Sequence, residues 1–467
     1  MEIKIRFLGA AQNVTGSRHL VEVNGIKVLI DCGLYQERQF VDRNWDTFPV
    51  SANQIDAVLL THAHLDHCGL LPKLVKEGFR GKIYGTTATC EIANIILMDS
   101  AKLQEEDAEY KNRRHKKEGR DMPEAKPLYT IEDAQQCITH FSAVPYREEI
   151  EIGNGVKATL YDAGHVLGSS IIRLKAVDGN EERIIIFSGD IGRPDRPIVC
   201  DPTVFEKADY VLIESTYGDR VHQDTADIKS LIAETVNETK ARGGNIIVPS
   251  FALERSQELL YYINELISED RIPHLMVFLD SPMASKITKV FSHHPEMFDK
   301  DMQQLIAEHG SPFKFAGLKV VEKTAESKAI NHIHGTVMVI AGSGMCTGGR
   351  VKHHLVNNIG DEKNTIMFVG YQAVGTLGRR IVEGEKRVRI LGAKYNVKAK
   401  IARIHGFSAH ADKNELLAWL KELKEPPRKV FVVHGEMSSA NKFAQFVRES
   451  TGWDVMVPKY KDEVILD

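Results

Sequence analysis

The sequence predicts an α/β protein in which a doubly wound, mostly parallel α/β domain is inserted into a strand-rich one. Three observations carry this reading. The first 200 residues are short β-branched runs bounded by Gly, Asn or Asp, such as "EIKIRFLG", "QIDAVLLTHAH" and "RIIIFSGD". From roughly 209 to 385 strands and helices alternate, as where "NIIVPSF" leads into "ALERSQELLYYINEL" and "LMVFLDSP" into "MASKITKVF". After about 390 short strands and one helix return, so that two strand-rich stretches flank the α/β block. The expected organisation is therefore a first part over 1–208, an insertion over 209–388 and a closing part over 389–467.

The bulk numbers agree with an ordinary globular chain. Its 467 residues exceed what one core usually holds, and 43% are hydrophobic and 27% charged. A formal net charge of −4 gives no general attraction for nucleic acid, so an anionic substrate needs a local site. The six cysteines form no CxxC pair, which argues against a disulfide framework and fits a reducing compartment. "MEIKIRFLGA" alternates charge with apolar residues and lacks the apolar core of a signal peptide, and no apolar run approaches 18 residues. The expectation is a cytoplasmic protein with no membrane partner. The basic run from Lys111 to Arg120 follows directly on acidic residues and reads as a solvated helical face.

The chemistry concentrates in "THAHLDHCG", residues 61–69, where His62, His64, Asp66 and His67 occupy six consecutive positions. The strand before it and the helical spacing of Leu70, Leu71, Leu74 and Val75 after it place the cluster at a strand end. Such groups are costly to bury unpaired. His-x-His allows two imidazoles to converge on one ion, and the following carboxylate and histidine reach a second a few ångströms away. Nitrogen and oxygen donors without thiolates suit Zn²⁺, with Mn²⁺ an acceptable alternative. Further donors stand at other strand ends: His165 in "DAGHVLGS", Asp190 in "IIIFSGDIGR" and Asp31 in "LIDCG". Asp31 fits the task of orienting ligands better than that of binding an ion.

In the inserted block, polar Gly-rich text falls after strand ends, where open α/β sheets bind ligands. "GSGMCTGGR" offers Ser343 and Gly344, and "FALERSQELL" and "GYQAVGTLGRR" offer Arg255 and Arg379, all candidates for phosphate contact or for bracing the domain. Thr347 stands where a dinucleotide fingerprint would need glycine, and no GxxxxGK[ST] occurs. No nucleotide cofactor is expected.

The series Asp31, His62-x-His64-x-Asp66-His67, His165 and Asp190 resembles the motifs of the metallo-β-lactamase superfamily. Glu214 in "VLIESTYGDR", His410 in "GFSAHAD" and His434 in "VVHGE" resemble the A, B and C motifs of its β-CASP RNA-processing nucleases, the branch that includes ribonuclease J. The resemblance runs over nearly the whole chain. It implies an αββα sandwich with an inserted β-CASP domain and two Zn²⁺ per chain. His62, His64 and His165 would hold one ion, Asp66, His67 and His434 the other, and Asp190 would bridge them.

By the same resemblance the activity is hydrolysis of phosphodiester bonds in single-stranded RNA, internally or from the 5′ end. Hydroxide generated between the ions attacks phosphorus, Asp66 serves the chemistry as well as the ion, and His410, oriented by Glu214, protonates the leaving oxygen. The RNA would lie in a cleft between the domains, and a homodimer is compatible with this reading. Two other readings stay open at this point: a hydrolase of small esters or thioesters, and a non-catalytic scaffold of RNA processing.

Overall fold

The opening run "IKIRF" forms a strand, Ile3–Phe7, because alternation sends Ile3, Ile5 and Phe7 inward while Lys4 and Arg6 stay half-buried. Arg6 pairs with Glu22 and Glu463 on the two neighbouring strands, at 3.2 and 2.8 Å. The structure, a computed structural model, describes residues 1–118, 122–222, 228–373 and 375–466. The chain divides into two units, Met1–Val221 with Ala409–Asp467, and His222–Ser408.

The first unit holds two seven-stranded sheets. One runs in the order Glu463–Leu466, Ile3–Phe7, His19–Val23, Ile26–Ile30, Ala57–Leu59, Lys82–Gly85 and Phe141–Ala143. The other runs Val455–Met456, Lys429–Val432, Tyr210–Ile213, Glu181–Phe187, Ser170–Asp178, Val156–Asp162 and Glu149–Gly153. Their inner faces share one core, in which Ile5, Phe7, Val28 and Ile30 of the first meet Leu160, Ile172, Phe187 and Phe431 of the second. Residues pointing the other way from the second sheet, among them Ile186, Val211 and Val432, pack on Leu416, Leu420, Phe443 and Val447 of helices Lys413–Leu420 and Met437–Thr451. Helices Leu71–Lys76, Thr87–Lys117 and Ile131–Ile138 cover the first sheet, whose outward Leu20, Leu29 and Val58 are fully buried. This is the expected αββα sandwich.

In the second unit six strands run in the order Leu318–Val320, Met276–Asp280, Val337–Ala341, Ile246–Pro249, Thr365–Phe368 and Lys400–Arg403, every pairing parallel. The doubly wound sheet of the insertion is thus present. The expected limits at 209 and 388 fall within 20 residues or so of the unit bounds and differ for a plain reason. Tyr210–Ile213 pairs with Glu181–Phe187 and Lys429–Val432 in the first unit, and Lys400–Arg403 pairs with Thr365–Phe368 in the second.

The basic run lies on the last turns of helix Thr87–Lys117, where Lys111 pairs with Asp107 at 2.7 Å and Arg114 with Glu118 at 2.7 Å. Its last two positions, Gly119 and Arg120, lie outside the described residues. No helix among the described residues is long and apolar enough to cross a membrane.

Candidate metal centre

Five strand ends of the first unit deliver the candidate residues to one place. His62 and His64 follow strand Ala57–Leu59, and Asp66 and His67 sit on the one-turn helix Leu65–Cys68. Asp31 follows Ile26–Ile30, His165 follows Val156–Asp162, Asp190 follows Glu181–Phe187, and His434 follows Lys429–Val432. The "DCG" turn is laid against the histidine turn by backbone bonds, Cys32 N–H to the His67 carbonyl at 2.7 Å and Leu34 N–H to that of Leu65 at 2.9 Å. Only glycine fits at 33, since a Cβ there would stand 1.6 Å from the Asp66 carbonyl oxygen. Asp31 and His434 both adopt left-handed backbone, with φ of 59° and 47°, a cost that non-glycine residues carry mainly at functional sites.

Asp190 stands at the middle. Its Oδ2 lies 3.5 Å from Nε2 of His62 and 3.6 Å from Nε2 of His165, while its Oδ1 lies 3.3 Å from Nε2 of His67 and 3.4 Å from Nε2 of His434. Nδ1 of His64 closes the first set, 2.9 Å from His62 Nε2 and 3.4 Å from His165 Nε2. Two donor groups result: His62, His64, His165 and Asp190, and Asp66, His67 and His434.

Ring nitrogens and carboxylate oxygens crowd together here, His62 Nε2, His64 Nδ1 and His165 Nε2 beside one oxygen of Asp190 and His67 Nε2 and His434 Nε2 beside the other. Nε2 of His67 and Oδ1 of Asp190 are buried and have no hydrogen-bond partner among the described residues. Such orphans are costly unless a cation lies between them, and the donor groups fit bound divalent metal.

The outer nitrogens fix the rings. Nδ1 of His67 lies 2.7 Å from Oδ2 of Asp31, Nδ1 of His165 lies 3.1 Å from the Ala409 carbonyl, and Nδ1 of His62 lies 3.1 Å from Oγ1 of Thr61. Thr61 also donates its N–H to Asp31 Oδ1 at 2.8 Å. Thr61 and Ser17, whose hydroxyl donates to Asp31 at 3.3 Å, are missed by sequence reasoning, because single hydroxyls carry no spacing signal.

Burial keeps His62 and His165 neutral, well below the usual imidazole range, and so ready to offer lone pairs. Burial opposes charge on Asp190 as well, but the surrounding imidazoles outweigh it and hold this carboxyl well below its usual range. Burial lifts Asp66 to about 6.

Glu214 and His410 form a separate pair beside this centre. Both oxygens of Glu214 lie 3.1 Å from His410 Nδ1, and Oε1 also accepts the Ile191 N–H at 2.7 Å. Glu214 is completely buried, whereas the His410 side chain is 21% exposed. Burial works against charge on His410, yet Glu214 and Asp190 overcome it and raise this imidazole to about 9. With Asp190 these two make a third cluster of metal-ligand type, but the Glu214 oxygens are already taken by the imidazole and a backbone amide.

The candidates in the second unit lie on loops and helix starts of its parallel sheet. Ser343 Oγ accepts the N–H groups of Thr347 and Gly348, at 3.0 and 3.3 Å, so these two amides close the loop on itself. Gly344 is buried, and a Cβ there would meet the Phe251 ring at 2.7 Å. Arg255 is buried, paired with Glu258 and 5.1 Å from the centre of the Phe407 ring. Arg379 donates to Glu383 at 2.6 Å.

A sandwich with histidine and carboxylate donors at its strand ends defines a metal-dependent hydrolase of metallo-β-lactamase type. Family models agree: a metallo-beta-lactamase superfamily domain matches residues 20–189, a Beta-Casp domain 256–381, and a Zn-dependent metallo-hydrolase RNA specificity domain 394–458. The chain belongs to the β-CASP family of this superfamily. It is 38% identical to "Ribonuclease TTHA0252" of Thermus thermophilus over 92% of both chains. It is 34% identical to the "Transcription termination factor FttA" of Methanocaldococcus jannaschii over 99% of this chain and 71% of the relative, and 31% identical to that of Methanococcus maripaludis over 100% and 71%. A crystal structure of a protein of unknown function from Enterococcus faecalis V583 shares the fold, with a TM-score of 0.56 over 100% of both chains at 11% identity.

Proposed function

We propose that this protein is a zinc-dependent ribonuclease that hydrolyses phosphodiester bonds of single-stranded RNA, with His410 as general acid. One observation carries the reading: Asp190 turns one carboxylate oxygen to each of two donor groups, the arrangement that a bridged pair of ions needs. In this reading His62, His64 and His165 hold one Zn²⁺, Asp66, His67 and His434 the other, and Asp31 orients His67. A divalent pair, when bound, supplies an activated water and neutralises charge on the phosphoryl oxygens.

The chain's own residues do the rest. Glu214 takes Nδ1 of His410, so proton delivery to the leaving sugar oxygen falls to Nε2. The expected products are a 5′-phosphate and a 3′-hydroxyl. RNA as substrate is supported by the ribonuclease relative and by the RNA specificity domain match over 394–458. In the second unit the loop at Ser343 and Gly344 is the proposed phosphate contact, and Arg255 and Arg379, already held by Glu258 and Glu383, brace the unit.

The test uses purified full chain with Zn²⁺ and 5′-labelled single-stranded RNA, beside His64→Ala and a small thioester. RNA cleavage abolished by the substitution supports the reading. Cleavage that survives it, or thioester hydrolysis without RNA cleavage, overturns it.

A further inference from the structure

Three imidazoles of the centre are anchored through Nδ1, His62 to Thr61, His67 to Asp31 and His165 to a carbonyl. His434 differs. Its Nδ1 is buried without a hydrogen-bond partner among the described residues, although its Nε2 faces Asp190 at 3.4 Å. Nδ1 of His19 is in the same condition. Both residues are at least nine-tenths buried, at 4% and 3% exposure, and both line one cavity of about 20 Å³ together with Ser17 and Ser188. That volume suits a single water, and a polar lining is what keeps such a water in place.

We propose that His19 is a positioning residue for His434, acting through one buried water that joins their Nδ1 atoms. The proposal rests on the reading of His434 as an ion ligand. The hydrogen-bond accounting closes. The water accepts the Nδ1–H of His434 and donates to Nδ1 of His19. Ser17 Oγ gives its hydrogen to Asp31 at 3.3 Å, and Ser188 Oγ gives its own to the Gly189 carbonyl at 2.6 Å while accepting the Glu214 N–H at 3.1 Å, so each keeps a lone pair for the second water hydrogen. With the proton pinned on Nδ1, Nε2 of His434 presents its lone pair toward Asp190 and the ion.

His19 is held for this task by the sheet rather than by a loop. It pairs in register with Phe7 on one side and Ile30 on the other, and its ring stands edge-on to Phe7 at 5.7 Å. The role accounts for a buried histidine in register with Phe7 and Ile30 on the inner face of the sheet. Removal of such an outer partner typically weakens metal binding about 10- to 100-fold.

The experiment titrates Zn²⁺ into the metal-free full chain against a chromophoric chelator, for wild type, His19→Leu and His19→Gln, with the melting temperature of each metal-free form measured alongside. The expected result is two ions in wild type, one of them weakened about 10- to 100-fold in His19→Leu, and most of that loss recovered in His19→Gln, whose amide restores a donor and an acceptor. Should His19→Leu fail to fold, His19→Phe takes its place in the same comparison. Wild-type affinity for both ions in the apolar variant overturns the proposal, and so does a Gln variant as weak as the apolar one, since packing alone would then explain the loss. A wild-type chain that binds no Zn²⁺ overturns the two-ion reading itself, and this proposal with it.

Discussion

Glu214 grips His410 with both carboxylate oxygens, each 3.1 Å from Nδ1, although 196 residues separate the two in the chain. A buried carboxylate held this way favours the charged imidazole, which Asp190 favours too. A general acid works while protonated, so activity falls as pH rises through its pKa. Glu214→Gln removes the main charge that raises this pKa, and the alkaline limb of kcat against pH moves to lower pH. His410→Ala lowers kcat about 10²- to 10⁴-fold. Both variants keep wild-type zinc content by elemental analysis, which separates proton delivery from ion binding.

In the proposed reading Asp31 would act on the ions through His67, whose Nδ1 it holds at 2.7 Å. Asp31→Asn keeps a residue that tolerates left-handed backbone but replaces the charged acceptor of the His67 ring. The expected outcome is zinc binding weakened about 10- to 100-fold in chelator competition, with the fold retained.

Binding of ions to the folded state alone stabilises it by mass action. Chelation therefore lowers the melting temperature, and Zn²⁺ restores it, with a gain of about 2.7 kcal/mol at a free concentration one hundred times the dissociation constant. In Asp190→Ala the same addition moves the melting temperature far less. Differential scanning calorimetry reads both.

The second unit carries its own pH dependence. Asp280, fully buried, accepts from His354 Nε2 at 2.6 Å, Ser327 Oγ at 2.5 Å and Arg350 Nη1 at 2.6 Å. Burial alone would raise its pKa, but these hydrogen bonds outweigh it and hold the carboxyl below the usual carboxylate range. Being depressed, this group stabilises the fold above its ordinary range, and the contribution is lost as pH falls through the folded value. Asp280→Ala costs about 3–5 kcal/mol near neutral pH in urea denaturation, and the difference from wild type shrinks in acid.

Much of the centre is legible in the sequence because metal ligation imposes spacing. His62, His64, Asp66 and His67 announce themselves within six positions, and strand-end patterns nominate His165 and Asp190. Glu214, His410 and His434 have no local signal of that kind and become visible through family motifs alone. Thr61, Ser17 and His19 stay hidden, since their roles depend on which strands lie side by side. Arg255 and Arg379, candidates for phosphate contact or for bracing the domain, are each ion-paired to a nearby carboxylate. Each has an acidic residue one helical turn on, Glu258 at i+3 and Glu383 at i+4, and that pairing was readable from spacing.

The most direct test of the two-ion centre is elemental analysis of the natively purified chain beside Asp190→Ala, paired with cleavage of labelled single-stranded RNA. The account predicts two zinc ions per wild-type chain, a reduced content in the variant, and cleavage by wild type only. Native protein without a bound transition metal, or a variant that still cuts RNA at the wild-type rate, contradicts it.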